Sequence, residues 1–422
     1  MKKAFLLILS MLSGSFLMAQ LVNNGATITI MPGATLYAET DVINNTGGTI
    51  DVQGNLVLTG NLTNNATMTT TAASLVRFTG SGNSGFKSNA ASVQNLRVDK
   101  TSGNVNLEDD LNVATNLDFV GGLLVLGNNE LYLGAATSIT GAGAGKYIAT
   151  NGTGRVRKAL TGNATVDLPL GDLSNYSPLS LDVTGSAYNS AYVRARVENA
   201  THPNLPAGST DYISRYWQIN QSGITDYSNQ WTGTYVVADD EVGLNAKIKG
   251  AAYDSDNGNW SFKYGTTTAS SVSGTIVNSN EDVTGTNFFG NILARAFLSG
   301  AYSASTGLMT TTLNTSGLIP LTSPYADAPN TATAIPAGVT DWVKLEIRDA
   351  NTPSTVLGKI SAFIKNDGNI IGVDGKSLIG IKDSPDNVHV SVHHRNHLPI
   401  RTPTAVDVKN PTLHNFTTAQ SQ

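Results

Sequence analysis

Between residues 111 and 158 a short apolar core recurs at almost constant spacing: Leu111 (LNV), Leu117 (LDF), Leu124 (LVL), Leu131 (LYL), Ile139, Tyr147 and Arg155 (RVR), at intervals of 6, 7, 7, 8, 8 and 8 residues. The stretch DFVGGLLVLGNNELYLGAATSITG (118–141) shows the pattern in full, with glycine and asparagine at its corners, no proline and no helical spacing. Two constructions use strands this short. A chain of two-residue hairpins needs longer alternating strands and an Asn-Gly or Asp-Gly turn at each reversal, which are missing here. The alternative is a solenoid, in which three strands of about seven residues make one coil of about twenty and successive coils pair in parallel. LEDDLNV (107–113) and LGNNELYL (126–133) align at an offset of 20, with Asp109 over Asn129, Asp110 over Glu130 and Leu111 over Leu131. GTIDVQGNLVLTGNLTNNATM carries the same rhythm earlier in the chain. Residues 20–158 therefore read as a β-solenoid of six or seven coils, leucine and valine inward, asparagine at corners that tolerate left-handed backbone and hydrogen-bond along the stack.

Composition agrees with an all-β chain. Glycine numbers 42, and charged residues are 14% of the total against about 25% in ordinary globular proteins, too few to dress helical surfaces. The net charge of −5 is spread thinly and argues against a nucleic-acid partner. The opening MKKAFLLILSMLSGSFLMAQ has the charged start, apolar run and small-residue end of a secretory signal peptide, with cleavage after Ala19. No later run reaches the roughly 18 apolar residues of a membrane-spanning helix, so no transmembrane segment is expected in the mature chain. With no cysteine, disulfides and cysteine-ligated metal are excluded.

From residue 159 to 297 the rhythm lengthens into alternating strands such as ATVDLPLG, SPLSLDVTG, AYVRARVENA, YISRYWQINQ and WTGTYVVADD. Seven or eight of them, with Trp217, Trp231 and Trp260 for a core, predict an antiparallel β-sandwich. GTTTASSVSGTIVNSNEDVTGTN (265–287) is assigned to an edge strand and a loop of that domain. A second β-sandwich-like module spans 298–410, followed by a tail, 411–422. Residues 341–410 hold 17 charged side chains whereas 265–340 hold four, which places its boundary near 297–335. Within it Asp367-Gly368 and Asp374-Gly375 signal turns, and NTSGLIPLTSPYADAPNTATAIPAG reads as an ordered loop.

Three constellations invite chemistry. Five of six histidines lie in 389–414, four of them in VHVSVHHRNHL. On a helix His389 and His393 would share one metal, but Val390, Ser391 and Val392 favour a strand, which separates positions four apart by about 13 Å. His393 with His397, or His394 with His397 across a turn, remain pairs for an adventitious ion only. DSDNGNW (254–260) opens like a calcium loop, yet Gly258 and Asn259 stand where a ligand and the turn glycine belong and no glutamate follows at the twelfth place. A hairpin explains it. Paired carboxylates matter most, because β-helices commonly carry polysaccharide lyases and hydrolases whose acids project from neighbouring coils. Asp110 with Glu130 is the one such pair, and Tyr37, Tyr132, Tyr147, Phe78, Phe86 and Phe119 are the only solenoid tyrosines and phenylalanines. A structural corner pair is favoured over a catalytic dyad. No residue is assigned a catalytic, cofactor-binding or metal-ligating role.

GAYSASTGLMTTTLNTSGLIPLTSPY (300–325), IPAGVTDWVKLEIRDANTPSTVLGKISAFIKNDGNIIGVDG (335–375) and VHVSVHHRNHLPI (388–400) resemble a segment of large modular secreted surface proteins of Bacteroidota, some adhesin-like or hemagglutinin-like. The solenoid and the LPLGDLSNYSPLSL to YWQI region look like modules upstream of that segment, so the resemblance covers nearly the whole chain. It implies export by a type IX route and a role at the cell surface or beyond. It supplies no catalytic residues. Such proteins continue into further repeats and a C-terminal sorting domain, neither of which is visible here. The expectation is a non-enzymatic secreted or cell-surface adhesion protein, a solenoid stalk presenting β-sandwich modules to an extracellular glycan or protein surface. The alternatives are a carbohydrate-active β-helix enzyme and a glycan-binding module without catalysis.

Overall fold

A computed structural model describes residues 20–206, 208–376 and 379–418; the signal-peptide reading of residues 1–19 lies outside them. The chain is nearly all β, with a β-solenoid of about seven turns followed by antiparallel sheets. It divides into two compact units, Met1–Val125 with Ala136–Ala142 and Leu126–Ala135 with Gly143–Gln422.

In the first unit three parallel sheets run along the coils. One stacks Leu21–Asn23, Val42–Asn44, Leu62–Asn64, Ser84–Lys87, Val105–Leu107 and Leu124–Val125. A second stacks Thr35–Ala38, Asn55–Leu58, Leu75–Gly80, Ser92–Lys100 and Leu111–Gly121. The third holds only Thr27–Ile30, Thr49–Val52 and Thr67–Thr70. Register partners lie about twenty residues apart, as Leu56 with Val76 and Val76 with Leu96. Leu56, Val76, Leu96 and Leu117 form one buried column, and Leu58, Phe78, Val98 and Phe119 another. Phe78 also meets Phe86, ring centroids 5.1 Å apart.

One expectation fails here. LNV and LDF do not start separate strands: Leu111–Gly121 is continuous, paired to Ser92–Lys100 across register shifts near Val93 and Val98. A corner present in the earlier coils is flattened into an irregular strand, and the third sheet ends at Thr67–Thr70.

The asparagine corners are a buried ladder. Asn23, Asn44 and Asn64 are 3%, 0% and 0% exposed. Asn23 Nδ2 donates to Asn44 Oδ1 at 2.9 Å, and Asn44 Nδ2 donates to Asn64 Oδ1 at 2.7 Å and to the Thr67 carbonyl at 2.9 Å. Asn64 Nδ2 passes the column to the Ser88 carbonyl at 2.8 Å. Left-handed backbone is taken by neighbouring glycines instead: Gly25 and Gly47 have φ of 97° and 85° and stack on each other.

In the second unit, β1 (Leu131–Leu133) pairs parallel with β2 (Val156–Ala159), and β2 pairs antiparallel with β5 (Ala187–Glu198). Strand β2 is thus the seam between solenoid and sandwich geometry. The sheet continues through β6 (Tyr216–Thr225), β10 (Asn280–Thr286) and β8 (Lys249–Asp254). Facing it is a four-stranded antiparallel sheet of β3 (Ala164–Leu168), β4 (Leu179–Thr184), β7 (Ser228–Thr234) and β9 (Ser271–Ile276). Trp217 and Trp231 are buried in this core, at 0% and 1% exposure, whereas Trp260 is half-buried. Trp217 lies against Gly233, where a Cβ would come within 2.6 Å of the ring, so the facing sheet needs glycine there. The segment 265–287 departs from its expected role: β9 is an edge strand, but β10 is interior, flanked by β6 and β8.

The chain ends in an antiparallel sheet of β11 (Val339–Asp349), β12 (Val356–Lys365), β13 (Asn387–His394) and β14 (His397–Arg401). Val343, Leu345, Ile347, Val390 and Val392 bury one face against Ile292, Ile381, Val408 and Phe416. On the other, Trp342 and Phe363 pack under Ile319 and Ala332, and Trp342 Nε1 donates to the Pro320 carbonyl at 2.8 Å. The 314–338 segment is thus an ordered cover, and Asp367-Gly368 makes the expected turn, with Gly368 at φ 85°.

Replacing Asn44 by alanine strips the middle rung and leaves the Thr67 carbonyl and two asparagine side chains short of partners. An unmade buried hydrogen bond costs about 1–3 kcal/mol, so Asn44→Ala should lower stability by on the order of 3 kcal/mol in urea unfolding. Asn45→Ala, which removes an exposed bond to Asn24, should change it by about 0.5 kcal/mol or less.

Candidate functional site

The carboxylates singled out by register do different work. Asp109, beside Asp110, caps the preceding coil: its oxygens accept from the backbone N–H groups of Ser88 and Asn89 at 2.7 and 2.5 Å. Asn89 and Ala90 take left-handed backbone there, and this cap holds the turn. The Asp110 carbonyl accepts from Ser88 Oγ at 3.1 Å. Glu130 forms an ion pair with Arg194 at 2.8 Å. Of the aromatic side chains, Phe78, Phe86 and Phe119 are core, Tyr147 is buried and Tyr37 is 52% exposed.

The histidines sit on β13 and β14 as a strand places them. His389 is buried and bonds the Thr402 carbonyl at 2.9 Å, while His393 approaches Glu346 at 3.1 Å. Burial, against the attraction of Glu346 and with the repulsion of Lys344 and Arg348, leaves the His393 pKa below its usual value. His394 Nε2 lies 3.2 Å from Asp341, and His394 Nδ1 accepts from the Asn396 N–H at 3.2 Å and lies 2.9 Å from His397 Nδ1. Burial pushes the Asp341 carboxyl up, but the bonds from His394 and the Trp342 N–H and the charge of Arg395 hold it below the usual range. Among the described residues no group of three or more histidine, aspartate or glutamate side chains is arranged for a metal ion. The segment 254–260 is a hairpin: Asp254 pairs with Asn259, and its carboxylate accepts from the N–H groups of Asp256 and Asn257 at 3.0 and 3.1 Å.

The richest surface was not singled out in the sequence. RVRK (155–158) and YVRARVE (192–198) alternate arginine with apolar residues at the start of β2 and along β5, so Arg155, just before β2, shares with Arg157, Arg194 and Arg196 the outer face of the sheet, away from the sandwich core. Arg157 stands over Tyr192 with its guanidinium carbon 3.8 Å from the ring centroid, and lies 5.5 Å from that of Tyr132. Arg194 meets Glu130, Arg196 donates to Gln218 Oε1 at 2.5 Å and pairs with Glu198, and Arg155 bonds Gln218 and Asn220. Burial first, then the charges of Arg194 and Arg196, lower the Arg155 pKa, a sign that like charges are crowded. Beyond β6 the face is closed by His202, which meets Asp282 at 3.2 Å and packs on Tyr216, Tyr253 and Trp260. The alternation R-x-R in two strands was the available signal.

No protein-family model, curated protein or solved structure matches the chain.

Glu281 on β10 is a buried acid whose carboxyl is pushed up. It is 1% exposed, and burial raises its pKa to about 7 against the lowering effect of its bonds from Asn278; nearby Asp254 adds to the rise. A folded-state pKa above the unfolded value of 4.5 means the native state binds the proton more tightly, so this group costs stability as pH rises from about 4.5 to about 7. Glu281→Gln should abolish that slope, removing a loss on the order of 3 kcal/mol between pH 4.5 and 8, read as the urea midpoint against pH.

Proposed function

We propose that the chain is a non-enzymatic protein of the cell exterior, exported through a type IX route and released or held at the outer-membrane surface. The solenoid coils act as a stiff structural element, and the sandwich modules supply the adhesive contact. The observation that carries this reading is the form of the polar surface on β2, β5 and β6. Its cations and amides are laid flat on a sheet, each arginine fixed by a side chain from the strands around it, which suits holding a surface by many small contacts. Stacked coils support the structural half, because each coil hydrogen-bonds its neighbours along its length and resists bending.

The test uses the purified mature chain on beads. Attachment to cells or to matrix-coated surfaces should be specific and saturable, and incubation with polysaccharides should release no new reducing or unsaturated ends. Release that is lost in Asp110→Asn or Glu130→Gln would replace this reading with that of a carbohydrate-active β-helix enzyme. Beads that attach no better than albumin-coated controls would remove the adhesive role.

A further inference from the structure

We infer that the outer face of β2, β5 and β6 is a binding site for an anionic polysaccharide, with Arg157 between Tyr132 and Tyr192 as its anchor. The inference rests on the adhesive reading and gives it a place and a ligand class. Four arginines crowd this face in a chain whose net charge is −5, and three carboxylates, Glu130, Glu198 and Asp282, oppose them. Among the described residues no carboxylate pairs with Arg157; its guanidinium is held by the Tyr192 and Tyr132 rings alone.

A stacked guanidinium keeps its in-plane N–H donors directed outward, a geometry that fits the two oxygens of a carboxylate or sulfate. Neighbouring strands lie about 4.8 Å apart, so guanidiniums on β2 and β5 recur at short, regular intervals across the face. That repeat suits a polymer bearing one anionic group per sugar or disaccharide better than a single small anion. The flanking tyrosine rings offer apolar surface to the C–H faces of a pyranose, a contact that a lipid headgroup or free phosphate does not use.

The experiment measures binding of the full mature chain to polygalacturonate, chondroitin sulfate and neutral dextran by calorimetry, with anionic phospholipid vesicles as a separate arm. Binding to at least one of the two charged polymers and not to dextran is expected, weakening at least tenfold between 50 and 500 mM NaCl as screening shortens the reach of the charges. Arg157→Gln should weaken it at least tenfold and Arg157→Lys about threefold. Glu130→Gln, which removes a competing carboxylate, should tighten it two- to threefold, an effect a purely structural role would not produce. Circular dichroism and thermal midpoints of the variants verify the fold. Equal affinity of wild type and Arg157→Gln overturns the site, and binding confined to dextran or to vesicles overturns the ligand class. Absence of all binding by a chain whose beads still attach to cells overturns this inference and leaves the adhesive reading standing.

Discussion

The fold depends on how a solenoid corner disposes of its backbone polar groups. A coil turns three times in about twenty residues, and every turn leaves N–H and C=O groups that the parallel sheets do not pair; buried without partners, each would cost more than a leucine contact returns. Asn44 answers this inside one side chain. It donates to a carbonyl of the next coil, and it links to the asparagine below and the asparagine above. The asparagine amide offers two N–H donors beside an acceptor oxygen, where a hydroxyl has a single donor, which is why a residue unfavourable in strands recurs at 23, 44 and 64. Where the column runs out, Ser88 and the Asp109 cap replace it, and the backbone there adopts two consecutive left-handed residues.

Charge is handled by the same means, across strands instead of along the sequence. Arg97 meets Asp118 one coil later at 2.7 Å, and Thr140 bonds the same aspartate at 2.7 Å. In the second unit Glu130, just before β1, pairs with Arg194 on β5, and Asn220 on β6 bonds Asn280 on β10. A sparse set of ions on flat sheets is thereby locked in place, and most of them are consumed by one another. Arg157 differs in that its partners are rings, so its orientation is fixed without its charge being spent.

Much of the architecture was legible because periodicity is a physical constraint on the chain. Leucines and valines at intervals of about twenty cannot bury themselves except by stacking, and Leu56, Val76, Leu96 and Leu117 do so. The corner lost at residues 114–116 was not legible: ATN carries the same small and polar residues as a true corner, and only pairing with Ser92–Lys100 decides that it stays extended. The interior place of β10 was hidden for another reason. NEDVTGT looks like an exposed loop, yet Glu281 is buried with a raised pKa and Asp282 is met by His202, partners more than 70 residues distant in the second case. At the sites, Asp254 and the histidine strand followed local geometry and were read correctly as a hairpin and a strand. The arginine face depended on which strands become neighbours, a matter of topology that alternation within one strand cannot reveal.

The early end of the third sheet gives the stack a grain. Coils up to Gly80 have three short sides, whereas the two coils from Ser84 to Gly121 each join one short strand to one long one, so the repeats are interchangeable within each set and not between them. Gain or loss of a whole twenty-residue unit between Val42 and Gly80 returns every asparagine to an asparagine and every corner to a corner. The same change between Ser84 and Gly121 would disturb the place where long strands meet bent ones, at Leu75–Gly80 under Ser92–Lys100. Lineages that lengthen or shorten this protein should therefore do so near its beginning, and the stretch from Ser84 to Gly121 should keep a constant length.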